Sequence, residues 1–79
     1  LVSKEELLAM LQRCSEEESH AIRVYAQNAD NPLFLSNLKS EEQTRVKELL
    51  LHLKRESESH IKTYRQLIST VEASEQDVF

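Results

Sequence analysis

The chain contains no glycine and a single proline, Pro32, which sits inside "NADNP" at residues 28–32. That is the tightest constraint on its fold. Glycine and proline are the residues that most often stop helices and shape turns. A chain without the first and with one of the second has one marked break. Leu, Glu, Lys, Arg, Gln and Ala are abundant on both sides of that break, and β-branched residues are few, so both sides favour helix.

Before the break, Ser3 precedes "KEELLAML" and Glu6 follows three residues later, the pattern of a capping box. An apolar stripe then runs Leu7, Leu8, Leu11, Cys14, Ile22, Tyr25, Ala26, Ala29, with the three-and-four spacing of an amphipathic helix. After the break, "LFLSNL" reads as a short apolar turn that lids one end. "SEEQ" at residues 40–43 is a second capping pattern, and Pro32, a good first-turn residue, offers an earlier start for the same helix. The second stripe is Val46, Leu49, Leu50, Leu53, Ile61, Tyr64, Leu67, Ile68, Val71. "EASEQDVF" reads as a polar, frayed tail.

The expected architecture is all-α, one domain over residues 1–79. Helix one spans about 4–29, a connector 30–39, helix two about 40–73, and the tail runs to 79. At about 1.5 Å per residue the helices reach roughly 40 and 50 Å and form an antiparallel two-helix hairpin. A hairpin has one apolar face and no second layer. One cysteine cannot close an internal disulfide, and a chain of 79 residues buries too little surface to be comfortable alone. Pairing of two hairpins into a four-helix bundle is the simplest remedy, so the expectation is a homodimer or a larger even assembly.

A net charge of −4 argues against nucleic acid or an anionic membrane as partner. No apolar run approaches the roughly 18 residues of a membrane span. A reduced, cytoplasmic setting is the default expectation. There is no glycine loop for phosphate and no cysteine cluster for zinc.

The chemistry lies in an echo. "ESHAIRVY" at residues 18–25 returns, one residue shorter, as "ESHIKTY" at 58–64. The missing residue changes the phase. At about 100° per residue, Glu18 falls near the centre of its stripe and His20 points outward. In the second copy His60 is expected inward with Tyr64, and Glu58 outward; Ser57 is central and Glu56 lies at the edge. A carboxylate on an apolar face is costly unless paired, hydrogen-bonded or metal-bound. Two readings of Glu18 stay open: a hydrogen bond to Tyr64, Ser57 or Ser15, or a metal. His60 is either a satisfied core histidine or a ligand. Dimerisation would bring two carboxylates and two imidazoles together, a donor set suited to iron, manganese or zinc.

"EESHAIRVYAQNADNP" followed by "LLLHLKRESESHIKTYRQL" resembles half of a ferritin-like bundle of the rubrerythrin or encapsulated-ferritin kind. Glu18, Ala21, Ile22 and Tyr25 match the Glu-x-x-Ala-Ile-x-x-Tyr of such first helices. His60 matches the histidine of their second-helix Glu-x-x-His; Ser57 stands at the glutamate's place, and Glu56 is one residue away. The resemblance implies an iron-binding half-bundle with ferroxidase activity at a dimer interface. Glu18 would bridge metals, His60 would be a terminal ligand and Glu56 an auxiliary one, with Tyr25 and Tyr64 as outer donors.

Three further readings accompany it. A dimeric scaffold or protein-interaction module needs no special residues. "SHAIR" faintly resembles the phosphoacceptor box of histidine-kinase dimerisation domains, with His20 outward, although Ala21 stands where an acidic residue is expected. Glu17–His20 reads as a solvated surface pair, Glu48–His52, spaced i and i+4, as a helix-stabilising contact, and Cys14 as a small hydrophobe.

Overall fold

The computed structural model describes residues 1–79. It is all-helical: α1 (Lys4–Ala29), α2 (Pro32–Leu35) and α3 (Ser40–Ala73). The two long helices pack against each other as a hairpin, in a rod measuring 55 × 17 × 16 Å.

Each helix end has a local cause. Ser3 caps α1, its hydroxyl accepting the Glu6 amide at 3.1 Å. At the other end of α1, a glycine in the left-handed region would be the common stop. This chain has none, and no residue has positive φ. Instead α1 stops at Asp30 with φ −103° and ψ 4°. Asn31 then caps α2, its side chain accepting the Leu33 amide at 3.0 Å, with Pro32 in the first turn. Turning without glycine takes a connector long enough for that extra helical turn. The connector in return buries Leu35, while Ala29 is buried at the end of α1.

α3 begins at Ser40, not at Pro32, and its cap is one residue earlier than the "SEEQ" pattern suggests. The cap is Lys39, whose backbone amide donates to the Glu42 carboxylate at 3.3 Å. A lysine has no side-chain acceptor, so the carboxylate three residues on supplies the capping bond. Glu41 and Glu42 in the first turn also suit the positive end of the helix dipole.

The C-terminal segment is not frayed. It folds back along the first residues of the chain. Val2 and Phe79 exchange backbone hydrogen bonds of 2.9 and 2.8 Å, and the Lys4 amide donates to Asp77 at 2.8 Å, making a one-residue antiparallel bridge between Ser3 and Val78. The physical reason is complementary need. The first amides of α1 have no helical acceptor, and the last carbonyls of α3 have no helical donor. The tail meets the first need. Lys4 meets the second, its ammonium donating to the Glu72 and Ser74 carbonyls at 3.1 and 2.7 Å. α3 has no basic residue in its own last turn, so the cation comes from the neighbouring helix.

The seam between α1 and α3 is thin. Only Ala29, Leu35, Ser57, Ile61 and Val71 are buried. Leu7, Leu11, Ile22, Val46, Leu50 and Ile68 are half-buried around them. Lys4→Ala should lower unfolding stability by about 1 kcal/mol. It should also speed hydrogen exchange at the Val2 and Phe79 amides while leaving the helical content unchanged; urea unfolding and exchange measurements check both.

Candidate functional site

The register of the hairpin follows from three encounters. Lys4 reaches Ser74, Cys14 lies beside Tyr64, and Glu18 meets His60. Each step along α1 is matched by one step back along α3. The two halves of the sequence echo therefore meet near the middle of the rod.

There the Glu18 carboxylate lies 3.3 Å from Nδ1 of His60. The pair bridges the two helices and is the one ion pair that does so. Glu18 is half-buried, its side chain 24% exposed, as its central position in the stripe requires. His60 is not inward: its side chain is 58% exposed. The buried positions of α3 nearest this level are Ser57 and Ile61, four residues apart, and they set the phase of the helix there. His60, next to Ile61, falls on the edge of the seam. The carboxylate reaches outward to meet the ring at that edge. Glu18 takes His60 as its hydrogen-bond partner, and not Tyr64, Ser57 or Ser15.

Glu56 does not join them. It pairs with His52 one turn away on α3, at 3.0 Å, with both side chains more than half exposed. The expected Glu48–His52 contact is thus replaced by His52–Glu56. His20, Glu17, Glu48 and Glu58 are all exposed. No group of three or more His, Cys, Asp or Glu gathers closely enough to hold a metal ion.

Glu18, His60, Thr63 and Tyr64 line a shallow hollow of about 250 Å³. A larger open hollow of about 530 Å³ lies along α3 between Glu58 and Thr70. All its lining residues come from one helix and only Ile61 is apolar, so it is a solvated groove. The chemistry is at the smaller hollow. Tyr64 is half-buried there, and its phenol is held above its ordinary value. The charge of a Cys14 thiolate contributes most, followed by burial, the Glu18 carboxylate, hydrogen bonding with Cys14, and the Glu17 carboxylate. The nearness of Cys14 to Tyr64 escaped the sequence reading, although both lie on their stripes and the antiparallel register puts them level.

What this arrangement does chemically is limited. One carboxylate and one imidazole from different helices fix the register and orient each other. Within one hairpin no third His, Cys, Asp or Glu joins them closely enough to hold a metal ion. No family model, curated protein or solved structure matches this chain.

The raised Tyr64 phenol has a consequence for alkaline stability. The folded state holds that proton more tightly than the unfolded chain does. Its contribution is fully present below the unfolded value of about 10. It is lost as pH rises through the higher folded value. Tyr64→Phe should therefore flatten the decline in thermal stability above about pH 10, and melting curves of both proteins across that range check it.

Proposed function

We propose that this chain is a self-associating helical hairpin, a half-bundle whose role is assembly, with two copies completing a four-helix core. The surface it leaves open carries the reading. A compact folded monomer of its mass, 9.2 kDa, exposes about 4900 Å². The hairpin exposes 6180 Å², an excess of about 1300 Å². A typical stable interface takes about 800 Å² from each partner. The radius of gyration is 17.5 Å, against about 12 Å for a compact domain of this length. Met10, Val24, Leu49, Leu53 and Leu67 are among the exposed large apolar side chains. Binding a second copy is the means by which a chain with no internal disulfide and no third long helix covers them.

Sedimentation over a concentration series tests this. The wild-type chain should be dimeric or a larger even assembly at micromolar concentration. Leu53→Asp, at an exposed site, should shift it to monomer with the helical signal kept. A wild-type monomer at every concentration would sink the proposal.

A ferritin-like iron site is the second reading, favoured by the Glu18–His60 contact between helices. Within one chain these residues do not make a metal centre: there are two donors, and Glu56 is engaged elsewhere. A site of this kind depends on the second copy, which would double the carboxylate and the imidazole. Ferrous iron loaded in air and desalted should then stay at about one iron per chain, and Glu18→Ala should lose it. No retained iron in either protein, with the dimer intact, would leave assembly as the whole function.

A further inference from the structure

Two lines of residues on the open side of the hairpin share one pattern. On α1, Met10, Glu17 and Val24 are seven residues apart. On α3, Leu53, His60 and Leu67 are seven residues apart. Seven residues are nearly two helical turns, so each set forms a line. All six residues are exposed. Each line reads apolar, ionisable, apolar.

The two lines lie on the same side of the rod. Two right-handed helices in antiparallel contact turn in the same sense across their common plane. The residue just before an inward position therefore leans to the same side in both helices. Glu17 precedes half-buried Glu18, and His60 precedes buried Ile61. The charge of Glu17 acts on Tyr64, which lines the hollow containing His60. The lines are level to within one residue. The register that joins Glu18 to His60 sets Met10, Glu17 and Val24 level with Ile68, Ile61 and Lys54, one residue from Leu67, His60 and Leu53, a rise of about 1.5 Å.

We infer that two hairpins pair through this face about a two-fold axis running along the rod, so that α1 of each copy lies over α3 of its partner. Such an axis keeps level with level. Met10 then packs on the partner's Leu67, Val24 on the partner's Leu53, and Glu17 on the partner's His60. Nδ1 of His60 is already engaged by its own Glu18, and the exposed edge of the ring is left for the partner's carboxylate. The other two-fold axis in the face runs across the rod. It would lay α1 on α1 and crowd Glu17 and Glu18 of both copies together, like charges in close contact. Charge complementarity selects the lengthwise axis. The face measures 55 by 17 Å, long enough for all three levels of the contact to form at once. The site at His60 is incomplete without the second copy.

This inference rests on the self-association reading, and the test separates the two. All cysteine variants carry Cys14→Ser. Met10→Cys protein mixed with Leu67→Cys protein should form a covalent dimer on oxidation. Leu53→Cys mixed with Leu67→Cys should not. Glu17→Lys should weaken the wild-type dimer on the order of tenfold in sedimentation, because each dimer contains the contact twice. A dimer that links through Leu53→Cys and Leu67→Cys, or that Glu17→Lys leaves as tight or tighter, overturns this arrangement and leaves self-association standing. A monomer at every concentration overturns both.

Discussion

Two helices can share only one line of contact, and everything else in this molecule answers to that limit. A pair of antiparallel helices covers about one stripe of each, and the stripes here are wider than the seam. The buried set includes Ser57 where a large apolar side chain would be expected in a deep core. Half-buried residues such as Leu50, Tyr64 and Ile68 sit where a further layer of helices would bury them. Met10, Val24, Leu53 and Leu67 lie exposed along the rod, while Leu1 and Val78 are exposed at one pole and Leu33 and Phe34 at the other.

The same limit explains where polar groups sit. Near the seam, at Glu18, burial is partial, so a carboxylate survives there with one imidazole partner at the edge of solvent. A pair this exposed contributes little to stability by itself. Its value is positional. It joins the two helices at one level near the middle of the rod, where a slip in register would separate the two groups. Ends are handled differently, by backbone and by Lys4, because there the unsatisfied groups are the amides and carbonyls of the helices themselves.

Much of the fold could be read from the residues. The single break at "NADNP" and the two three-and-four stripes lead to two long helices folded on each other, and the observed α1 and α3 are those helices. The site was legible only in part. Glu18 follows from its stripe because α1 keeps one phase through Leu11, Ile22 and Tyr25. The phase of α3 is harder, because leucines at 49, 50, 51 and 53 surround the helix and point to no single face. A stripe centred on Tyr64 sets His60, four residues before it, inward, whereas the buried Ser57 and Ile61 fix the true phase. The Lys39 cap and the folded-back tail lie beyond pattern reading, since both depend on which backbone groups a neighbouring segment leaves unsatisfied. Glu56 chose His52 for the simplest reason: it is one turn away on the same helix.

The bridge between Val2 and Phe79 gives the rod a mechanical polarity. Both ends of the chain stand at one pole, and the α2 turn closes the other. Pulling the two ends apart loads the bridge crosswise. The Val2–Phe79 bonds take the force first, then the Lys4–Asp77 bond, then successive levels of the α1–α3 seam. The hairpin therefore opens like a zip, one level at a time from the clasped pole. Force applied between the α2 turn and either end is carried along a helix and resisted by its whole hydrogen-bond ladder. One small pair of backbone bonds thus decides in which direction this molecule yields.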